Sequence, residues 1–387
     1  MDFEFTQEQQ DIRKTVKKFC DKELTKQYVR WLDENCDFPP DDIWRKLASI
    51  GVHGLIVPER YGGAGLGYIE AVIVLEELSK ACSSVGVAVA VNLALGQRTL
   101  TELGNEKQKE EFLPRTASGD LKWAMALTEP AGGTDILGAI STTAVEDGDH
   151  YVINGQKTFI SAAHVADYIN TVAITDQKAS KKSKALSTFI VDAKAPGIRI
   201  KRIPKFGNHA CAACEVFFDD VRVPKENLLG TLNNGWYELL STLNPERISV
   251  AANAIGVSMA VLEDAVAYAK ERYIFGKPSG TFMAIQHMVA DMAIEIELAR
   301  TLTYKCAWLA QQGKPYAIES VMAKQFASDR AVVHAINGME ILGGYGYCME
   351  YDMQRYLRDA KQFPFAPINN ESCKNMIAES FGLPRSF

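Results

Sequence analysis

Trp123–Gly138 reads WAMALTEPAGGTDILG. An apolar run, Trp123 to Leu127, is broken by Thr128-Glu129-Pro130 and then by Ala131-Gly132-Gly133-Thr134-Asp135. A short apolar run bounded by Pro and Gly predicts a strand that stops abruptly. The residues beyond it are small, hydroxylated and flexible. Glycines admit close approach to the backbone, and Thr hydroxyls with exposed N–H groups suit a flat polar ring or a phosphate. An ordinary β-turn fits the same residues, so the segment needs its surroundings.

Outward from it, hydrophobic periodicity divides the chain. From 121 to 230 the pattern alternates. Tyr151–Asn154, Tyr168–Ile174, Ser187–Val191, Ile198–Ile203 and Cys214–Phe218 predict strands, separated by turn signals at Asp147-Gly148, Asn154-Gly155, Pro196-Gly197 and Asp219-Asp220. The expectation is an antiparallel β-barrel or sandwich, not a βαβ unit. Residues 1–120 read as helices. Thr6 with Gln9 makes a capping box before Ile12, Val16 and Phe19, Asp42–Ile50 and Ile69–Ala81 follow, and Val85–Leu103 is apolar nearly all round. Residues 231–387 return to long helices: Gly235–Leu243, Pro245–Arg272, Ala284–Gln312 and Ala317–Leu342. These predict a four-helix bundle, with a kink or fresh start at Pro245 and Asn244 as its cap. The predicted class is α+β: helical domain (1–120), β-barrel domain (121–230), helical bundle (231–387).

Composition narrows the function. With 387 residues, 47% hydrophobic and 23% charged, the chain has the makeup of a multidomain soluble protein. A net charge of −6 offers no basic excess for general nucleic-acid binding. Eight scattered cysteines without framework spacing suit a reducing compartment. The acidic start MDFEFTQEQQ matches neither a secretory signal nor a transit peptide, and no run of about 18 apolar residues is evident, so the expectation is cytoplasmic without a membrane span. His209, Cys211 and Cys214 have no second ligand cluster beside them, so no metal is expected.

ALTEPAGGTD resembles the TEPxxGSD segment of the acyl-CoA dehydrogenase family, flavoproteins that oxidise acyl-CoA thioesters. The likeness continues through INGQKTFIS (Ile153–Ser161), DDVRVPKENLLG (Asp219–Gly230), ERYIFGKP (Glu271–Pro278), ILGGYGY (Ile341–Tyr347) and YLRDAK (Tyr356–Lys361), in family order. The resemblance implies FAD as cofactor, because no side chain accepts a hydride. It places Leu127 and Thr128 at the flavin pyrimidine edge, Ser161 near N5, Phe159 on the ring, and Gly133 and Thr134 at the phosphates or the thioester arm. Arg272, Phe275, Gln286, Glu340 and Gly344 map to contacts with the adenine end of a flavin held mainly by a neighbouring subunit, which implies a homotetramer. An electron-transfer flavoprotein is the implied partner.

The base departs from the common pattern. Most members carry a catalytic Glu shortly after RDAK, where this chain has RDAKQFPFAPINNES and Pro367 in that place. A subgroup uses a Glu on the long helix opening the bundle, and Glu246 matches it, flanked by Asn244 and Arg247, which map to substrate contacts. A structural partner for Arg247 or Arg272 is the competing role for Glu246. Proline has no N–H, so Pro367 removes a donor that in the family helps bind the thioester oxygen. Asn369 and Glu371 also replace residues that normally touch FAD. Three activities stay open: dehydrogenation of a short, branched or alicyclic acyl-CoA; the reverse, as an enoyl-CoA reductase; and a non-redox acyl-CoA lyase or desulfinase-like reaction. A binding homologue without turnover is the remaining class.

Overall fold

The computed structural model describes residues 4–385. Thr6 Oγ1 accepts from the Gln9 amide at 3.2 Å, and the Gln9 side chain accepts from the Thr6 N–H at 3.0 Å, so the capping box opens α1 (Gln7–Glu23). It is followed by α2 (Lys26–Asn35), α3 (Asp41–Ser49), α4 (Tyr68–Ala81), α5 (Ser83–Ala90), α6 (Arg98–Leu103) and α7 (Glu106–Ala117). The single buried helix expected over Val85–Leu103 is instead α5 and α6 joined through a π-helical turn, Val91–Gln97. Periodicity cannot separate these, because an apolar segment buried all round carries no phase.

The central sheet has eight strands: β1 (Trp123–Ala126), β2 (Thr143–Asp147), β3 (His150–Ser161), β4 (Tyr168–Ile174), β5 (Leu186–Asp192), β6 (Ile198–Ile203), β7 (Ala213–Pro224) and β8 (Leu228–Leu229). A short α8 (Ile136–Ala139) lies between β1 and β2. The order is β6-β7-β3-β2-β4-β5-β8, with β1 parallel to β4. The expected antiparallel barrel is corrected on two counts. The sheet is mixed, since β2 also meets β4 in parallel, and it does not close, since among the described residues β6 pairs with β7 alone and the two-residue β8 with β5 alone.

Two expected turns lie inside strands. The β3–β7 register shifts at Asn154-Gly155 opposite Asp219-Asp220, and the two sides clasp: Asn154 Nδ2 donates to Asp220 Oδ1 at 3.0 Å, and the Asp220 N–H donates to Asn154 Oδ1 at 2.9 Å. This is a bulge, which borrows turn residues without ending the ladder.

The third part contains α9 (Gly235–Glu271), a small hairpin of β9 (Tyr273–Ile274) and β10 (Lys277–Pro278), α10 (Met283–Gln311), α11 (Ala317–Leu342), α12 (Gly344–Tyr347), α13 (Met353–Ala360) and α14 (Asn370–Ser380). The expected break at Pro245 is absent. Helix α9 runs through it from an N-cap at Asn234, so Asn244 is an interior residue and the bundle has one fewer long helix than the pattern suggested. An interior Pro costs roughly 3 kcal/mol, and the burial of α9 offsets it: Ile248, Ala251, Ala252, Ile255 and Val261 are all at most 2% exposed. By length and composition α9 could cross a membrane, contrary to the sequence reading, but most of its apolar stretch is covered by protein.

One core joins the first and last helical parts, from Leu32 and Leu78 to Ile255 and Val261. Helix α4 packs on α9 so closely that a Cβ at Gly256 would stand 2.5 Å from the Glu76 carbonyl oxygen, and Ser79 Oγ donates to Asn253 Oδ1 at 2.7 Å.

Gly155 is similarly constrained. Its φ is +149°, and an added Cβ would lie 2.3 Å from Thr142 Oγ1. Gly155→Ala is therefore expected to lower stability by about 1–3 kcal/mol through overpacking and backbone strain, read as an earlier urea midpoint. An unchanged midpoint would mean the bulge relaxes freely.

Candidate active site

Strand β1 ends into a loop held by one buried ion pair. Lys157 on β3 is fully buried, and its Nζ donates to Glu129 Oε1 at 2.9 Å and to the Leu127 carbonyl at 3.0 Å. Glu129 also accepts from the Thr142 N–H at 2.9 Å and from the Ser141 N–H and hydroxyl at 2.8 and 2.6 Å. Burial by itself would raise the Glu129 pKa, but Lys157 and these donors outweigh it and hold the carboxyl at about 2. Burial lowers the Lys157 pKa to about 8 against the pull of Glu129. The sequence reading passed over this pair. The available signal was a Lys in an otherwise alternating strand and a Glu inside the strand-end break.

The pair brings the first group of predicted residues together. Leu127 is buried and Thr128 half-buried, and the Thr128 carbonyl accepts from the Thr158 N–H at 2.9 Å. Beside it Phe159 is 66% exposed with φ +59°, a left-handed backbone rare for an aromatic residue and typical of strained functional positions. Ser161, at the end of β3, is half-buried. Gly133 is exposed, and a Cβ there would approach Thr128 Cγ2 no closer than 4.0 Å. Thr134 is exposed and its Oγ1 accepts from Asn369 Nδ2 at 2.7 Å, which joins this loop to the C-terminal segment.

That segment is held by a second buried lysine that the sequence reading also missed. Lys324 Nζ on α11 donates to the carbonyls of Pro364 and Ile368 at 3.1 and 2.6 Å and to Asn370 Oδ1 at 2.6 Å. Pro367 lies between these anchors, and Glu371 stands in the first turn of α14. The signal in the sequence was a lone Lys at a core position of α11.

Glu246 sits on α9 one residue after Pro245. It keeps partial access to solvent, yet protein crowds its carboxyl. Burial pushes its pKa up from 4.5 to about 7, with the Arg247 charge opposing. It forms no ion pair with Arg247 or Arg272 among the described residues. Arg247 is instead bonded through Nη1 to Asn244 Oδ1 at 2.6 Å, is only 6% exposed, and leaves its Nε without a partner among the described residues.

The other predicted contacts gather elsewhere. Arg272 lies 5.9 Å over the ring of Tyr345, next to Gly344, and Gln286 Nε2 donates to the Gly280 carbonyl at 3.0 Å. Phe275 is 91% exposed with φ +51°, and Glu340 and Gly344 are exposed. From Glu246 to Glu271 the helix advances about 37 Å at roughly 1.5 Å per residue. Glu246 and the end of α9 that leads to Arg272 are therefore far apart within one chain. The exposed Phe159 beside strand-end backbone fits a flat ring, and the exposed aromatic cluster with Arg272 fits the far end of an extended anionic cofactor.

Three family models match: the acyl-CoA dehydrogenase N-terminal domain over residues 6–120, the middle domain over 124–221 and the C-terminal domain over 233–382. A probable acyl-CoA dehydrogenase of Bacillus subtilis (strain 168) is 39% identical, covering 98% of this chain and 99% of the relative. The CarC subunit of the caffeyl-CoA reductase–Etf complex of Acetobacterium woodii is 39% identical over 93% of this chain and 94% of its own length. The butyryl-CoA dehydrogenase of Megasphaera elsdenii superposes with a TM-score of 0.95 at 36% identity, covering 99% and 100% of the two chains. The fold and these matches define an oxidoreductase of the flavoprotein class. The chain belongs to the acyl-CoA dehydrogenase family, whose members depend on FAD.

Lys157→Met is expected to destabilise the protein by about 3–5 kcal/mol, because it leaves the buried Glu129 carboxylate without its counterion. Glu129 has a folded pKa below its unfolded value, so its stabilising contribution is present above about pH 4.5 and fades as pH falls toward about 2. Melting curves across that range should show a shallower acid dependence in the variant. A variant melting like wild type would remove the pair from its structural role.

Proposed function

We propose that the chain dehydrogenates an acyl-CoA thioester between its α and β carbons, with Glu246 as the base. The observation that carries the reading is a carboxyl on a buried helix, pushed up to about 7 and without an ion-pair partner among the described residues. A base whose pKa lies near the working pH is largely available yet still strong enough to take the α proton. Bound FAD supplies the acceptor for the β hydride at its N5. Arg247, one residue on, keeps the Glu246 pKa from climbing further, and with Asn244 it is assigned to substrate binding.

The flavin ring is assigned to Leu127, Thr128, Phe159 and Ser161, with Gly133 and Thr134 at the phosphates or the thioester arm. Its adenine end is assigned to Arg272, Phe275, Gln286, Glu340 and Gly344 of a neighbouring subunit. The length of α9 supports this division, since about 37 Å separates its base from its far end. The assembly is accordingly a homotetramer of subunits organised as 1–120, 121–230 and 231–387. It is cytoplasmic and passes electrons to an electron-transfer flavoprotein. The acyl group is short, branched or alicyclic. The reverse reaction is the second reading, favoured by the Acetobacterium woodii relative named as a reductase subunit. Glu246 would then give the proton to the α carbon.

Glu246→Gln keeps shape and hydrogen bonding but cannot accept the proton. Flavin reduction by a good substrate, followed by anaerobic stopped flow, should slow about 10²–10⁴-fold, while calorimetric substrate affinity stays near wild type. In the wild type the ionised carboxylate is the active form, so the reductive rate should rise with pH through about 7. Normal reduction by the folded Gln variant would exclude Glu246 as base.

Arg272→Glu sets an anion where the cofactor pyrophosphate is assigned, and FAD affinity should fall by about tenfold or more. Unchanged FAD affinity would overturn the cross-subunit assignment.

A further inference from the structure

Asn92 is 1% exposed, and neither its Nδ2 nor its Oδ1 has a hydrogen-bond partner among the described residues. Buried amides are almost always paired, because an unmade bond in an apolar wall is costly. This one stands in the π-helical turn Val91–Gln97, a conformation that recurs at functional sites.

Two marks fix its level in the molecule. A Cβ at Gly86 would stand 3.0 Å from Asn253 Oδ1, and Leu95 packs in the cluster that holds Leu239 and Leu243. The segment therefore runs antiparallel to α9, and Asn92 falls in sequence between the two marks, as Glu246 falls between Leu243 and Asn253 on α9. Its other flank lies on the sheet. A Cβ at Gly96 would meet the Trp123 Cβ at 2.6 Å, and Asn170 Nδ2 of β4 donates to the Leu95 carbonyl at 2.9 Å. The π turn is thus a wall between α9, which carries Glu246, and β1, which runs into Leu127 and Thr128. Residues 83–97 contain no charged side chain, and Val87, Val91, Leu93 and Ala94 are buried.

We infer that Asn92 is a subsite for a neutral oxygen substituent on the acyl chain, a ketone or hydroxyl, so that the substrate class is an oxygenated acyl-CoA. A primary amide both donates and accepts, which suits either group. The wall supplies no cation to meet a carboxylate. This inference rests on the dehydrogenase reading for its ligand, and it narrows the acyl group assigned there.

The test compares matched thioesters with the FAD-loaded protein under anaerobic conditions: pentanoyl-CoA against levulinyl-CoA, and hexanoyl-CoA against its ω-hydroxy analogue. Calorimetry should show at least one oxygenated member binding about tenfold more tightly than its hydrocarbon partner. Asn92→Leu should abolish that preference while improving hydrocarbon binding. Equal affinities in the wild type would overturn the inference and leave Asn92 holding a buried water only. A preference that survives Asn92→Leu would also overturn it. The wild-type comparison decides the matter even if the variant fails to fold. Flavin bleaching is read separately: its absence with every thioester would sink the dehydrogenase reading, whereas the binding preference is measured without turnover.

Discussion

The buried Lys157–Glu129 pair is the constraint on which the site depends. Its parts come from three places: the end of β1, the middle of β3 and the lead into β2 through Ser141 and Thr142. Replacing a buried pair by apolar residues is often energetically neutral, so stability alone does not explain it. Geometry does. The ammonium fixes the Leu127 carbonyl, and the carboxylate gathers four hydrogen bonds that fold the strand-end loop back on itself. The Thr158–Thr128 backbone bond and the left-handed Phe159 follow from that frame. A strained, exposed aromatic persists only where its surroundings over-determine it.

Helix α9 is held on different physical terms. Its burial offsets an interior proline and sets Glu246 in a crowded place. The carboxyl is tuned mainly by desolvation, with the adjoining guanidinium as counterweight. Glu129 and Glu246 show how environment decides the state of one side-chain type. Three donors and a lysine keep the first ionised far below neutrality, and burial without any such partner among the described residues leaves the second poised near it.

Much of this was legible in the sequence because local rules and tertiary structure agree there. The Thr6 capping box, the β4 and β6 strands and the helical stripes of α4 and α11 need no information from elsewhere in the chain. The misreadings share one cause. Asn154-Gly155 and Asp219-Asp220 carry turn chemistry, yet each is stabilised by the other across two strands. Pro245 carries helix-breaking chemistry, yet α4, α10 and α11 hold its helix together. The open sheet was hidden because short strands and turns do not reveal which edges pair. Lys157 and Lys324 were hidden because their acceptors are mostly backbone carbonyls, which leave no trace in residue identity.

Those two lysines also define the puzzle at the C-terminal segment. Each anchors a stretch of irregular backbone by its carbonyls, the first at the strand-end loop and the second at Pro364–Asn370, and Asn369 links the two through Thr134. The second anchor keeps the segment ordered although Pro367 can neither serve as base nor donate an N–H. Loss of one such donor typically costs about 2.7–4 kcal/mol of transition-state stabilisation. A base at Glu246, as proposed, would replace the lost carboxylate but not the lost donor, because a carboxylate that must accept a proton is a poor donor to a developing oxyanion. Catalysis at this site therefore asks two things of separate elements. On the proposed reading proton removal falls to α9, and the donor that Pro367 lacks would have to be supplied by a group other than Glu246.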